Sequence, residues 1–241
     1  SVVQTTSSIS LEWTAPAELG GDSVSEYVLY MDDGSGEDAA VSTEAYRGED
    51  AFVVVSGLAG GRSYPFAVSA VCASGEGFRS AVMAQSTSPG AGSAPVSVQQ
   101  TASSIQLSWS APALSTGLDA TGYRVYDVSS ESSVLVYDGA ESSSMEALIS
   151  GLESGREYSY VVSALSGAGE GDVSVSTDMS TSPGLVTELV SDHQTSSSIT
   201  LSWEAPSVST GSAVSGYKVY ERVVHGLSEV SDMFESGGVS E

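Results

Sequence analysis

The sequence predicts an all-β protein built from antiparallel β-sandwiches in tandem, and three observations carry this prediction. A ten-residue segment recurs three times without gaps, as SSISLEWTAP (7–16), SSIQLSWSAP (103–112) and SSITLSWEAP (197–206). Apolar and polar residues alternate within these segments, which is the period of a strand with one buried face. Clusters of Gly, Ser and Pro interrupt the alternating runs at short intervals, as expected for short strands joined by turns.

The spacing of the recurring segments sets the size of the structural unit. Trp13, Trp109 and Trp203 are separated by 96 and then 94 residues, a period too long for a solenoid repeat but suited to a small domain. We therefore divide the chain into repeat 1 (1–89), repeat 2 (90–183) and repeat 3 (184–241), arranged like beads on a string in a rod. Repeat 2 is expected to be complete, repeat 1 to lack part of its first strand, and repeat 3 to hold only its first strands.

The incomplete third repeat has two interpretations. In the first, the chain is a window cut from a longer array of the same repeat. In the second, a strand from another chain completes the sandwich, as in donor-strand complementation.

The recurring segment itself predicts a strand with an inward apolar face. Ile9, Leu11 and Trp13 alternate with polar residues, so these three side chains point to the same side of a sheet. The tryptophans are accordingly predicted to lie in the core of each repeat, at Trp13, Trp109 and Trp203.

A tyrosine follows each tryptophan after fourteen residues, at Tyr27, Tyr123 and Tyr217. If these side chains face the core, the tyrosines three residues later must face outward, at Tyr30, Tyr126 and Tyr220. Two explanations for the outward set remain open. The rings pack on small residues of the neighbouring strand, such as Ser69 and Ser163, or they form a spaced row that contacts a ligand or another chain.

Later motifs also recur in register and complete a family resemblance. GLAGGRSY (57–64) matches GLESGREY (151–158), GEG recurs at 75–77 and 169–171, and STSPG recurs at 86–90 and 180–184. Together with the Trp and Tyr motifs, this order resembles the fibronectin type III domain over essentially the whole chain. The resemblance implies a sandwich of about seven strands in each repeat, with Trp13 and Trp109 in the second strand.

The resemblance also implies a role for two further tyrosines. Tyr64 and Tyr158 match the corner tyrosines that begin the sixth strand, whose buried hydroxyl is expected to bind a nearby backbone carbonyl. Gly61 and Gly155 stand where the family usually has Pro. We expect this replacement to loosen the corner by about 0.5–1 kcal/mol through the entropy of the unfolded chain.

The charge balance limits the classes of partner. The chain has 31 acidic and 7 basic residues, yet charged residues make up only 16% of it, against about 25% in an average soluble protein. The acidity therefore comes from missing Lys and Arg. Nucleic acid is excluded as a partner because phosphate contacts need clustered cations, and no apolar run approaches the ~20 residues of a membrane helix. Since few carboxylates have a cationic partner, we expect stability to depend only weakly on acid.

The residue types that carry catalysis and metal binding are scarce. One cysteine and two histidines, His193 and His225, predict neither a cofactor nor a Cys-based zinc site, and without a base nothing activates a nucleophile. We therefore predict that the chain is not an enzyme. Cys72 is either a shielded free thiol or half of an interchain disulfide.

One acidic run could hold a metal ion. Asp32, Asp33, Glu37 and Asp38 form a calcium candidate, because Ca²⁺ prefers several oxygen ligands on a flexible loop. The alternative is a solvated loop.

These observations leave two functional hypotheses. The first is a non-catalytic structural segment of an extracellular fibre, appendage or cell-surface protein, whose partners are other copies of the chain or neighbouring repeats. The alternative is an adhesion, carbohydrate-binding or spacer module of a larger receptor or secreted enzyme. The Ser- and Thr-rich surface leaves three explanations open: lateral packing in a fibre, O-linked sugars around 86–89 and 180–183, or a general preference of the organism for Ser. Glycans are partners only in the second of these. N-linked sites are excluded because the chain has no Asn.

Overall fold

A computed structural model describes residues 3–17, 22–32, 41–114, 118–207, 211, 213–223 and 226–229. Every regular element in these ranges is a β-strand, and all strand pairs are antiparallel. The prediction of an all-β, antiparallel fold is therefore confirmed. In the ranges given, the chain contains no helix with the length and apolar character needed to cross a bilayer.

Repeat 2 contains two sheets. Its elements are β8 (Val96–Gln100), β9 (Ser104–Ser108), β10 (Gly122–Asp127), β11 (Val134–Gly139), β12 (Glu146–Ser150), β13 (Glu157–Ser166), β14 (Gly169–Val173) and β15 (Thr177–Ser180). One sheet has the order β12-β9-β8, and the other has the order β11-β10-β13-β14, with β15 also pairing with β13. Since β14 and β15 share the last strand position, the repeat has seven strand positions in two layers.

Repeat 1 follows the same plan. Its elements are β1 (Ser8–Glu12), β2 (Glu26–Met31), β3 (Thr43–Gly48), β4 (Phe52–Ser56), β5 (Ser63–Cys72), β6 (Gly75–Glu76) and β7 (Met83–Ser86). Strand β1 pairs with β4, and the second sheet has the order β3-β2-β5-β6, with β7 on β5. Residues 3–4 lie where repeat 2 has β8, since Ser10 N–H donates to Val3 O at 2.9 Å and Gln4 bridges to Ile9.

Repeat 3 contains two hairpins in its described part. Strand β16 (Thr187–Gln194) pairs with β17 (Ile199–Glu204), and β18 (Tyr220–Val223) pairs with β19 (Gly226–Glu229). Ile199 and Leu201 are 63% and 36% exposed, whereas their counterparts in repeat 2, Ile105 and Leu107, are fully buried. The inward face of repeat 3 is therefore uncovered over β17.

In repeats 1 and 2 the core lies between the two sheets. The alternating residues of β1 and β9 are buried as their period predicts, with Ile9 and Ile105 at 0% exposure. The tryptophan comes directly after the strand, and its N–H still continues the ladder. The backbone N–H of Trp109 donates to Met145 O at 3.0 Å, and the backbone N–H of Trp13 donates to Ala51 O at 3.0 Å.

The tryptophan rings pack edge-on against the recurring tyrosines. Trp109 lies 5.6 Å from Tyr123 between ring centroids, and Trp13 lies 5.8 Å from Tyr27. Trp203 makes the same contact with Tyr217, at 5.4 Å. Trp109 is buried at 7% exposure, whereas Trp13 and Trp203 are half-buried.

Tyr64 makes the expected hydrogen bond, because its Oη donates to Ala59 O at 3.4 Å. Both corner tyrosines also accept a shorter hydrogen bond that was not expected: Tyr158 Oη accepts from Glu153 N–H at 2.8 Å, and Tyr64 Oη accepts from Ala59 N–H at 2.7 Å. The hydroxyl therefore chiefly satisfies a backbone donor of the turn. We call the turns before these tyrosines, residues 58–62 and 152–156, the corner turns.

The backbone conformation of the corner turn explains why glycine occurs there. Gly61 and Gly155 have φ of +67° and +62°, a left-handed conformation that Pro cannot adopt because its ring holds φ near −65°. The entropic loosening expected from losing Pro is therefore secondary, since this turn geometry requires glycine.

Truncating the core tryptophan should destabilise repeat 2. Trp109→Ala leaves a cavity beside Tyr123 and should lower the free energy of unfolding by about 3–5 kcal/mol, measured by chemical denaturation. Val175→Ala is the control, because Val175 is 78% exposed and its truncation should change stability by less than about 0.5 kcal/mol. Equal effects of the two variants would contradict the core position of Trp109.

Two neighbouring tyrosines should respond oppositely to loss of the hydroxyl. Tyr158→Phe leaves Glu153 N–H without its acceptor and should cost roughly 1–3 kcal/mol. Tyr160 is fully buried, and its hydroxyl has no hydrogen-bond partner among the described residues. Burial without a partner raises the pKa of Tyr160 and makes the hydroxyl unfavourable, so Tyr160→Phe should preserve or raise the unfolding temperature. The two melting curves, recorded side by side, check this; destabilisation by Tyr160→Phe would refute it.

Candidate functional surface

Tyr30 and Tyr126 lie on the sheet face that points away from the core, as expected, and the three predicted outward tyrosines differ in exposure. Tyr30 is buried at 8% exposure, Tyr126 is half-buried, and Tyr220 is 51% exposed. We call the face of β3-β2-β5-β6 and of β11-β10-β13-β14 that carries Tyr30 and Tyr126 the outer face. A row of equally exposed rings is not formed, because side chains around Tyr30 and Tyr126 cover them.

In repeat 1, one carboxylate oxygen collects two hydroxyl groups. Tyr30 Oη donates to Glu76 Oε1 at 2.7 Å, and Ser69 Oγ donates to the same oxygen at 2.6 Å. The Arg79 guanidinium lies over the Tyr30 ring, 3.6 Å from its centroid, and binds the Val41 carbonyl. Tyr30 thus packs under Arg79, with Val28, Val41 and Ala67 as its buried neighbours.

Repeat 2 builds the same arrangement, and here an arginine also binds the central glutamate directly. Tyr126 Oη and Ser163 Oγ each donate to Glu170 Oε1 at 2.6 Å. Arg124 Nη1 donates to Glu170 Oε2 at 2.7 Å, and Arg124 Nε pairs with Asp138 Oδ1 at 3.2 Å. Glu170 therefore accepts from three side chains on two neighbouring strands.

The cation changes strand between the repeats while the tyrosine, serine and glutamate keep their places. In repeat 1 the cation is Arg47 on β3, which pairs with Glu26 at 2.8 Å and Glu44 at 2.9 Å. Its cross-strand neighbour is Val28, whereas Arg124 on β10 lies opposite Asp138. The ion pairs are partly exposed and each adds little stability, so the shared feature is the Tyr–Glu–Ser cluster.

The cluster shifts the ionisation of its members. Hydrogen bonds from Ser69 and Tyr30 lower the pKa of Glu76 below its ordinary 4.5. For Glu170, burial raises the pKa, but the hydrogen bonds from Ser163, Tyr126 and Arg124 together outweigh burial and the pKa is lowered. The pKa of Tyr30 is raised by its hydrogen bond to Glu76, and that of Tyr126 by burial and then by Glu170.

The two glutamates were missed as functional positions by the sequence analysis, although a signal for them exists. Glu76 and Glu170 are the central residues of the recurring GEG motif at 75–77 and 169–171. The recurrence of the motif is visible in the sequence. The hydrogen-bond partners of the two glutamates, however, lie on other strands, and the pairing register of those strands decides which residues come close.

The remaining candidate positions that the structure describes lie on different elements. Asp32 donates its backbone N–H to Pro65 O at 3.2 Å, whereas Asp33, Glu37 and Asp38 lie outside the described residues. In the described ranges, no group of three or more acidic, His or Cys side chains has metal-binding geometry. His193 is exposed on β16, and His225 lies outside the described part of the chain.

Cys72 lies beside an open groove at one end of repeat 1. It is a half-buried free cysteine whose Sγ is 3.1 Å from Ser74 Oγ. The groove has a volume of about 500 Å³ and is lined by Trp13, Tyr27 and Phe78, among others. Phe78 is fully exposed.

The lowered pKa of Glu170 makes a pH prediction with a defined sign. A carboxyl whose pKa is lower in the folded chain contributes stability above its unfolded pKa and loses that contribution as pH falls through the folded value. Stability of repeat 2 should therefore decline as pH drops below about 4.5, and Glu170→Gln should flatten that decline. Urea unfolding at pH 7, 5 and 3.5 measures it, with the exposed Glu141→Gln as control. An unchanged pH profile in Glu170→Gln would contradict the cluster.

Known proteins match large parts of this chain. A family model described as the fibronectin type III domain matches residues 1–86 and 91–180. Chitinase A1 of Niallia circulans is 35% identical over 130 residues, which cover 50% of this chain and 17% of that protein. The chain therefore aligns with only a small part of the chitinase's length.

Solved structures of fibronectin type III domains are also similar to parts of this chain. A segment of two fibronectin type III domains from chicken tenascin is 18% identical, with a TM-score of 0.38, and the match covers 75% of this chain and 97% of that one. The sixth fibronectin type III domain of human fibronectin type III domain containing protein 3 is 30% identical, with a TM-score of 0.36, over 42% of this chain and 92% of that one. Because the family model covers most of the chain in two successive matches, the chain belongs to the fibronectin type III family and contains these domains in tandem.

Proposed function

We propose that the chain is a non-catalytic structural segment of an extracellular fibre, appendage or cell-surface protein, in which tandem repeats associate laterally with other copies. The observation that carries this proposal is an apolar position that recurs on the sheet opposite the outer face. Val54 on β4 and Leu148 on β12 occupy the same place in repeats 1 and 2, and are 49% and 59% exposed.

The neighbours of these two residues suit close contact between sheets. Val54 lies opposite Ser10, and Leu148 lies opposite Gln106, so no charged side chain stands directly across from either. Phe52, Val96 and Val98 add further exposed apolar area on the same sheets, at 49%, 55% and 61% exposure. Exposed apolar groups that recur on one face of successive domains are typical of an interaction surface.

The net charge sets the conditions for this association. A formal charge of −24 on each chain makes copies repel one another. Salt at ~0.1 M shortens the range of that repulsion to about 10 Å. Lateral packing should therefore strengthen as ionic strength rises, which is the opposite of association by ion pairs.

The polar groups of the outer face bind one another, which also favours a structural role over catalysis or sugar binding. The hydroxyls of Tyr30 and Tyr126 and the carboxylates of Glu76 and Glu170 bind one another. A catalytic base or a sugar-binding ring needs an unengaged polar group or an accessible ring face, and these positions do not supply one.

Similarity to the chitinase favours a second candidate, a spacer or carbohydrate-binding module of a larger secreted enzyme. Chitin is an insoluble polymer, so a protein that acts on it works outside the cell, which also supports the extracellular setting. Tyr220, at 51% exposure, is the outward tyrosine with an accessible ring.

A binding assay separates the two candidates. Retention of the chain on chitin beads, lost in Tyr220→Ala, would favour the carbohydrate-binding module over the fibre segment.

Paired charge substitutions test the lateral surface. The double variant Val54→Glu and Leu148→Glu should abolish salt-dependent association in sedimentation velocity and remove filaments from negative-stain images, because each carboxylate must be desolvated on packing. The control is Val82→Glu with Val175→Glu, which adds the same charge at positions 60% and 78% exposed on other parts of the repeats. Equal loss in both double variants would mean that charge alone prevents association, and the surface assignment would fail.

A further inference from the structure

The junction between repeats 1 and 2 is built from the recurring STSPG motif. We call residues 87–90 and 181–184 the linkers. Thr87 and Ser88 are 0% and 1% exposed, and Pro89 is less than 2% exposed. Such burial is unusual for a segment that connects two domains, because connecting segments generally lie at the surface.

Each linker is fastened to its own repeat by the same four hydrogen bonds. In repeat 1, Thr87 N–H donates to Arg62 O, Thr87 Oγ1 donates to Ala59 O, Gly61 N–H donates to Ser88 O, and Ser88 N–H donates to Thr5 O. The same four bonds recur around Thr181 and Ser182 in repeat 2. The linker is therefore part of the corner of the repeat that it leaves.

The first linker also binds the repeat that follows it. Ser88 Oγ donates to Ala168 O at 3.1 Å, and Pro89 O accepts from Asp172 N–H at 3.1 Å. Both partners belong to the β13–β14 hairpin of repeat 2. Two bonds on successive linker residues fix the direction of the linker against that hairpin.

Glycine is needed where the linker and the hairpin meet. A Cβ atom added to Gly171 would lie 2.1 Å from Pro89 O and 2.8 Å from its carbonyl carbon. Both atoms are backbone, so a side chain at 171 cannot be accommodated by a rotamer change, and the linker itself would have to move.

Comparison with the second linker and with repeat 1 connects the burial of the first linker to the β13–β14 hairpin. Pro183, the counterpart of Pro89 in the second linker, is exposed, and Ser182 is half-buried; no hairpin of this type lies next to them in the described part of repeat 3. Gly77 is the counterpart of Gly171 in repeat 1, and a Cβ there would meet only Ala70 O, at an ordinary 3.4 Å. Close approach thus occurs where a linker and a hairpin face each other.

We propose that the β13–β14 hairpin is the docking site for the Ser-Pro-Gly linker of the preceding repeat, and that Gly171 is the residue that permits this docking. The hairpin fixes the orientation of repeat 2 on repeat 1. A second contact agrees with this: a Cβ on Gly61 in the corner turn would lie 2.6 Å from Leu114 Cδ2 in repeat 2. The proposal concerns contacts within one chain and does not depend on lateral association.

Amide exchange at Asp172 reports directly on the junction, because its N–H bonds to Pro89 O across it. In the full chain, Gly171→Ala should raise the hydrogen-exchange rate of the Asp172 amide up to about tenfold, the equivalent of one hydrogen bond. The Ser174 amide, bonded to Val162 O within repeat 2 at 2.8 Å, should keep its protection and shows that the repeat stays folded. Independent tumbling of repeats 1 and 2 in ¹⁵N relaxation should accompany the change.

The matched control is Gly77→Ala, which makes the same substitution in the same motif where no linker docks. It should leave the Asp172 amide and the relative tumbling of the repeats unchanged. Ser88→Ala provides a second variant should Gly171→Ala not fold: it removes the donor to Ala168 O and should raise Asp172 exchange, whereas Ser182→Ala should not. Unchanged Asp172 exchange in Gly171→Ala, or an equal rise in Gly77→Ala, would overturn the proposal.

Discussion

Burial of the inward residues of the strands is the constraint on which the other features of this chain depend. Ile105 and Leu107 are fully buried, and Trp109 packs edge-on against Tyr123. Because side chains alternate along a strand, placing Tyr123 in the core sends Tyr126 to the outer face, and the inward Val162 sends Ser163 there too. The cluster around Glu170 exists because the core fixes the faces of β10 and β13 first.

The chain has few cations, and hydroxyl groups stabilise the carboxylates of the two recurring Tyr–Glu–Ser clusters. Glu76 accepts from Ser69 and Tyr30, and Glu170 accepts from Ser163 and Tyr126 in the same way. A hydroxyl that donates to a carboxylate favours the charged form as a cation does, though without a net charge of its own. The expectation of weak acid dependence considered only cationic partners and left out this class of donor.

One hairpin links the outer face to the junction between repeats. Glu170 joins the β13–β14 hairpin to Tyr126 and Ser163 on its own sheet, while the adjacent Gly171 allows Pro89 O to approach Asp172 N–H. Anchoring of the hairpin and docking of the linker therefore involve consecutive residues of one motif. In repeat 1 the same motif has the anchor at Glu76, but a Cβ at Gly77 would meet only Ala70 O at an ordinary 3.4 Å, whereas a Cβ at Gly171 would collide with the linker.

The all-β fold, the recurring repeats and the buried faces of the strands follow from the sequence, because alternation and turn residues are local signals that survive in any register. The partner of a side chain does not follow. The predicted carbonyl partner of Tyr158 is in fact the Glu153 amide, and Tyr30, predicted to face outward, is covered by Arg79. The sequence suggests that Gly61 merely replaces a proline, whereas its φ of +67° shows that the turn requires glycine. These features depend on the distance between strands, loops and repeats that are far apart in the chain, and that distance is set only when the core packs.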